Sequence, residues 1–476
     1  MRKGVAIVAA SSLLLASCAL GPNYARPPVE TPGGWRDGAA ADNAIANLPW
    51  WDVFRDPILQ ELIRTALEGN KDLKIAVERI AEARARYGFT KADLYPRVDL
   101  TGEGGALRTS ERGLSPPPPG ADPKTDFYRL SADLSWEIDF FGRVRRATEA
   151  QYALLLATEE ARRTVVIVLV SDVARSYFEL RDADRRLEIA RTTLDSRGEY
   201  VTLAKVRFEG GVTSEIDYRQ ALAEYHRVEG TVFALERLAA EKEHELSVLL
   251  GRNPAALPRG EAIDVQAAPV EVPAGLPAEL LERRPDLREA EQILVAANAR
   301  IGEAKALLFP RIALTSSFGY ESTELDRWLT APAQSWSVVG SLLQPIFNAG
   351  QNRRRVDVSE SQMRQALYGY ERAIQGALRE VEDALVAYRK TGLQRTSQAT
   401  RVAAERDVLR LAELRYRGGV AGYLEVLDAQ RSLFSAELEE VETIRENLAA
   451  LVRLYKALGG GWIHPAEGAG PGAREG

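Results

Sequence analysis

The chain has 476 residues, 45% of them hydrophobic, and a formal charge of −6. That length holds two or three ordinary domains, and an acidic balance with no basic stripe excludes a nucleic-acid partner. Its single cysteine, Cys18, rules out an intramolecular disulfide, and His226, His244 and His464 are too scattered for a Cys/His metal site.

Arg2 and Lys3 open a positively charged start, and Val5 to Leu15 follow as a short apolar run ending in small residues, the layout of a secretory signal. The run is too short to cross a bilayer as a helix. An ordinary cleaved signal with an incidental cysteine is one reading. Leu15-Ala16-Ser17-Cys18 instead resembles the bacterial lipoprotein box, which implies cleavage after residue 17 and acylation of Cys18. Losing Arg2 and Lys3 leaves 60 basic against 68 acidic residues, a charge of −8. Ala19 is not the aspartate that retains such lipoproteins in the inner membrane, which favours the outer one. The resemblance implies three acyl chains, and several chains anchor firmly where one does not.

After a first segment, 18–70, a unit over 71–251 is expected to hold a helix, two strands and a helical hairpin. Val98, Leu100, Gly102, Gly104 and Ala106 alternate with polar neighbours. So do Tyr128, Leu130, Ala132, Leu134, Trp136, Ile138 and Phe140, a strict period of two. Four half-buried strands of a soluble sheet would show that pattern. The length and aromatic ends also suit membrane strands with an apolar outer and a polar inner face, and on that reading Trp136 and Trp336 face lipid.

No proline lies between Pro123 and Pro254. An interior proline costs a helix about 3 kcal/mol, so the gap predicts a long hairpin reversing at Gly210-Gly211. A helix from Gly142 to Glu209 would run roughly 100 Å, far more than a globular core needs. Leu187, Leu194, Val201 and Phe208 keep a seven-residue spacing, as coiled coils do, with Arg197 and Lys242 breaking the pattern. Val165 to Val170 is apolar all round and reads as helix buried beneath other elements.

A Pro-rich connector, 252–284, then leads to a second unit, 285–459, that repeats the first. Asp72-Leu73 through Pro96-Arg97-Val98 reappears as Asp286-Leu287 through Pro310-Arg311-Ile312, an offset of 214. Gly142 onward matches Gly350 onward at an offset of 208 without a gap, through Arg207 and Arg415 to Leu250-Gly251 and Leu458-Gly459. Internal duplication is therefore expected. Its strands are Ile312 to Tyr320 and Trp336 to Leu342, and its hairpin lies in the proline-free gap from Pro345 to Pro465, reversing at Gly418-Gly419. Residues 460–476 read as a flexible tail. Four strands cannot close a membrane barrel, and an open edge in hydrocarbon leaves backbone groups unsatisfied. The barrel must be shared between chains, and the pattern alone permits a dimer or anything larger.

Several blocks, in order, resemble the TolC-like outer-membrane efflux factors of the NodT-type lipoprotein branch. They include Gly21-Pro22-Asn23-Tyr24, Trp50-Trp51 with Phe54 and Asp56-Pro57, and Asn70 with Asp72-Leu73. Arg283-Arg284-Pro285-Asp286-Leu287, Ala296 to Gly302, Phe309-Pro310-Arg311-Ile312 and Gln344-Pro345-Ile346-Phe347 complete the set. The resemblance implies an α+β membrane protein with long coiled-coil hairpins and four transmembrane strands per chain. In the homotrimer these become a 12-strand barrel and a 12-helix periplasmic tunnel. It also implies a periplasmic adaptor and a proton-driven inner-membrane pump as partners, outer-membrane lipid, and no cofactor beyond the lipid on Cys18.

By the same resemblance Gly210, Gly211, Val212 and Thr213, with Gly418, Gly419, Val420 and Ala421, are the tips that meet the adaptor. Glu425 and Asp428 take the acidic positions ringing the tunnel's inner mouth, and Tyr416 that of a latch tyrosine. The latch arginine would fall at Ala421, so that pairing is absent. An ordinary solvated helix face remains the alternative for Glu425 and Asp428. Without a Walker loop, nucleophile elbow or HExxH motif, passive export of small molecules stands ahead of a lipid-anchored enzyme. A periplasmic adaptor lipoprotein is the other alternative, although it would carry one hairpin.

Overall fold

A computed structural model describes residues 19–36, 48–266 and 277–460. Cys18 and the tail beyond Gly460 lie outside the described residues. The principal elements, in order, are α1 (Pro57–Gly69), α2 (Lys71–Ala92), β1 (Arg97–Arg108), β2 (Lys124–Ile138), α3 (Arg143–Glu209) and α4 (Glu215–Leu249). They continue with α5 (Pro285–Ala306), β3 (Arg311–Ser322), β4 (Gln334–Leu343), α6 (Gln351–Arg417) and α7 (Tyr423–Ala457). Element lengths recur between the halves. α2 and α5 each have 22 residues, α3 and α6 each 67, α4 and α7 each 35. Backbone geometry recurs as well: Gly142, Gly211 and Gly251 have positive φ, and so do Gly350, Gly419 and Gly459, each 208 residues on.

The chain forms two compact units. One comprises Met1–Pro28, Arg79–Glu159 and Glu289–Glu371. It contains an antiparallel sheet in the order β1-β2-β3-β4. Opposed residues of antiparallel strands share a face, and the register gathers most of the large apolar residues on one face. Leu134 lies opposite Val98 and Ser316, and Ala132 opposite Leu100 and Phe318. Phe318 in turn faces Trp336. The other face carries Asp99, Asp133 and Ser317, then Glu103, Arg129 and Glu321. The outer edges of β1 and β4 have no neighbouring strand among the described residues.

An extended strap over 19–26 packs onto the helical part of this unit. The buried Arg146 donates from Nε to the Leu20 carbonyl (3.0 Å) and from a terminal nitrogen to Asn23 Oδ1 (2.9 Å). Asn298 donates to the Pro22 carbonyl (2.9 Å), and Arg26 pairs with Glu291 at 2.7 Å. Gly21 comes so near Gly302 that an added Cβ would sit 2.4 Å from the Gly302 Cα. Only glycine allows that approach. Nearby, Ala150 and Ala153 of α3 pack against Ala296 and Ala299 of α5, where small side chains let the helices come close.

The second unit comprises Val29–Glu78, Glu160–Arg288 and Arg372–Gly476. Its anchor is Asp56, 3% exposed, which caps α1 by accepting from the Ile58 amide at 2.9 Å. The same carboxylate accepts from the Tyr177 hydroxyl (2.5 Å), the Glu261 amide (3.1 Å) and Gln266 (2.8 Å). A buried charge is tolerable when satisfied this fully. The segment from Val165 to Val170 is largely buried, as its all-round apolarity implied. No described helix is long and apolar enough to cross a membrane.

Candidate functional site

The residues singled out by the sequence fall at the hairpin tips, at the start of α7, and on the sheet. At the first tip α3 ends at Glu209. The Gly211 amide donates to the Phe208 carbonyl (2.9 Å) and the Val212 amide to that of Arg207 (2.8 Å). The second tip repeats this: Gly419 donates to Tyr416 (3.1 Å) and Val420 to Arg415 (3.0 Å). This is the Schellman ending, which wants a left-handed residue after the helix, and Gly211 (φ 74°) and Gly419 (φ 72°) supply it. Gly210 and Gly418 precede them, and Val212 and Val420 stand exposed beyond. Thr213 leads to Ser214, whose hydroxyl caps α4 by accepting from the Ile216 amide. Ala421 leads to Gly422, which caps α7 without a side chain.

Glu425 and Asp428 sit on the exposed face of the first turns of α7, three residues apart and so neighbours on the helix. Glu425 is not a free carboxylate. Arg415 Nε, from the last turn of α6, lies 2.9 Å from its Oε1, and both side chains are about half exposed. An exposed pair of this kind is worth about 0–1 kcal/mol, yet it neutralises the nearest charge. Sequence reasoning missed Arg415, although it matches Arg207 across the repeat and therefore ends the corresponding helix.

Tyr416 is buried at 6% exposure, packed with Ala204, Ala221, Tyr423 and Val426 from both hairpins. The Arg207 guanidinium lies over its ring at 4.8 Å from the centroid, within cation–π range. Residue 421 is an alanine, and the cation that meets Tyr416 comes from the first hairpin's tip.

Further polar contacts join the two hairpins. Glu224 of α4 is fully buried, bonded to Arg227 on its own helix and to Arg431 of α7 at 2.8 Å. Burial works to raise this carboxyl, but the two guanidiniums outweigh it and hold it below the usual carboxylate range. Tyr200 of α3 donates to Glu413 of α6 at 2.6 Å. Arg197, one of the residues that broke the heptad pattern, is 4% exposed, and its Nε has no hydrogen-bond partner among the described residues. Burial pushes its basicity down, and the buried Tyr423 hydroxyl, also unpartnered, is pushed up to about 12, chiefly by burial. Nothing in the local pattern marked Glu224 as a bridge between hairpins, because its partner Arg431 lies 207 residues away.

On the sheet Trp336 is 73% exposed on the apolar face. Trp136 shares that face through the register, but it is half-buried and donates from Nε1 to the Leu94 carbonyl (3.0 Å). Asp133, on the opposite face, accepts from Ser131 at 2.8 Å. Among the described residues no cluster of metal-ligating side chains occurs.

Comparison with known proteins accords with this layout. The family model described as outer membrane efflux protein matches twice, over residues 62–252 and 276–460. The solvent efflux pump outer membrane protein SrpC of Pseudomonas putida is 38% identical, with 94% of this chain and 97% of that protein covered. The cation efflux system protein CusC of Escherichia coli is 35% identical over 95% of this chain and 97% of its own length. Among solved structures, the open state of the Neisseria gonorrhoeae MtrE outer membrane channel superposes with a TM-score of 0.85 at 33% identity, covering 94% of this chain and 99% of that one. With both halves matched and relatives of this identity aligned along nearly their whole length, the chain belongs to the outer membrane efflux protein family.

Proposed function

We propose that this protein is the passive outer-membrane exit channel of a tripartite efflux system, internally duplicated, assembled as a homotrimer and anchored by lipid on Cys18. The observation that carries the reading is the sheet. One face is apolar and open, the other polar, and two edges lack a neighbour among the described residues, on a chain that also carries two hairpins with 67-residue arms. An open-edged sheet is stable in hydrocarbon only once copies close it into a barrel, and three copies of four strands make twelve. The tips are the surface offered to a periplasmic adaptor, and an inner-membrane pump supplies the energy. Relatives described as outer membrane proteins of efflux pumps support this reading over a periplasmic adaptor.

The test is fractionation with acyl labelling. The wild-type protein is expected in the outer-membrane fraction and labelled with palmitate, with label absent from Cys18→Ser. Recovery in the soluble periplasm would overturn the channel reading, and label persisting in Cys18→Ser would overturn the anchor.

A further inference from the structure

A polar layer crosses the helical hairpins between two apolar clusters. Toward the tips, Ala221 of α4 and Val426 of α7 pack with Val201 of α3. Farther from the tips, Val228 of α4 and Phe434 of α7 pack with Leu194 of α3. Between these clusters each helix places polar side chains: Arg197 on α3, Glu224 on α4, Gln430 and Arg431 on α7. A Cβ added to Gly198 would lie 3.7 Å from the Tyr225 ring, so Arg197 and Glu224 stand at one level of the first hairpin.

The charges in this layer do not balance. Both oxygens of Glu224 are taken, by Arg227 at 3.0 and 3.1 Å and by Arg431 at 2.8 Å. Three guanidiniums therefore face one carboxylate, and Arg197 is left over. Its Nε has no hydrogen-bond partner among the described residues, and at 4% exposure a second chain cannot supply one. Burial lowers its basicity, but a guanidinium stays protonated in a protein, and a buried charge without a partner is costly.

Two more polar groups are buried here without hydrogen-bond partners among the described residues, the hydroxyl of Tyr423 (2% exposed) and the amide oxygen of Gln430 (1%). The Tyr423 ring lies 6.2 Å from that of Tyr200, one turn after Arg197. Gln430 follows Tyr423 by two turns on the same side of α7. Turning its amide presents the NH2 group where the oxygen now lies. The layer then offers three donors and no free acceptor. Arg227 and Arg431, whose side chains are about half exposed, connect it to solvent.

We propose that this layer binds a small monovalent inorganic anion, a halide, held by the Arg197 guanidinium, the Tyr423 hydroxyl and the Gln430 amide. The ion answers the surplus guanidinium and ties α3 of the first hairpin to α7 of the second. Donors buried this deeply suit a monatomic ion better than a tetrahedral oxyanion. All of these residues belong to one compact unit, so the site stands whether or not the protein conducts.

Bromide is the probe. The purified full-length protein in detergent should melt about 2–4 °C higher in sodium bromide than in sodium gluconate of equal ionic strength, and the rise should saturate. Arg197→Met should abolish the rise while melting no lower than wild type in gluconate, because it removes an unpaired buried charge. Glu224→Gln takes away the competing negative charge and should lower the half-saturating bromide concentration. Anomalous scattering from bromide-soaked wild-type crystals should show a peak within hydrogen-bond distance of Arg197 and Tyr423. A wild type that melts alike in both salts, or an equal rise in Arg197→Met, overturns the site. A peak confined to exposed arginines marks an adventitious ion only and overturns it too.

Discussion

At the scale of single residues, the account turns on carboxylates and what faces them. Glu425 and Asp428 are exposed neighbours on α7, and rings of carboxylates in a constriction favour cations. Asp217 and Gln220 hold the matching places in the first half, so the second hairpin is expected to dominate selectivity. Glu425→Gln with Asp428→Asn should reduce cation selectivity, read as a smaller reversal potential in a salt gradient, with oligomer stability nearly unchanged. Arg415→Ala should act oppositely, since it frees the Glu425 charge from its partner at 2.9 Å. Selectivity unmoved in both variants would leave the pair as an ordinary solvated face. Glu224 behaves differently because it is buried. Replacing it by Gln removes charge-assisted bonds to Arg227 and Arg431 and should cost about 1.5–3 kcal/mol, read as a lower melting temperature. Its carboxyl is held below the ordinary value near 4.3 by those guanidiniums. A depressed folded-state value means the contribution is full above that pH and disappears as pH falls through the lowered one. The melting difference between wild type and Glu224→Gln should therefore be wide at neutral pH and narrow as pH falls through the lowered carboxyl value. A gap unchanged with pH would show that the buried charge is not what the substitution removes.

At the scale of elements, strands and tips were legible in the sequence, because a period of two and a Gly-Gly break in a proline-free run are local signals. What joins elements was not. The Arg415–Glu425 pair, the Glu224 clamp and the seat of the strap on Arg146 depend on which helices become neighbours. The register places Leu134 and Asp133 on opposite sides of β2. An arginine on a lipid-facing strand position costs about 2–4 kcal/mol near the bilayer midplane. Leu134→Arg should accordingly lower the yield of membrane-assembled protein far more than Asp133→Arg, and equal yields would contradict the orientation. At the tips Gly211→Val and Gly419→Val force a side chain into left-handed backbone at about 1–2 kcal/mol each. That cost is small beside the packing of 67-residue helices, so oligomers should form while efflux, followed by drug susceptibility, declines. Unaltered susceptibility in the double variant would remove the tips from the docking model.

At the scale of the whole molecule, recurrence links sequence to structure. Two offsets, 214 and 208, recur in the sequence, and equal helix lengths and paired positive-φ glycines accompany them. Tyr416 shows where such reading stops: the cation over its ring is Arg207 of the other hairpin, 209 residues away in sequence. The central claim, that this chain forms a channel, is tested most directly by conductance of the purified outer-membrane oligomer in a planar bilayer. Two proteins should be compared: wild type, and a variant in which Tyr200→Phe and Glu224→Gln cut the hairpin-bridging bonds. The account predicts discrete conductance steps without nucleotide or a proton gradient, larger or more frequent in the variant. An intact oligomer that never conducts above the detergent blank, in either form, would contradict it.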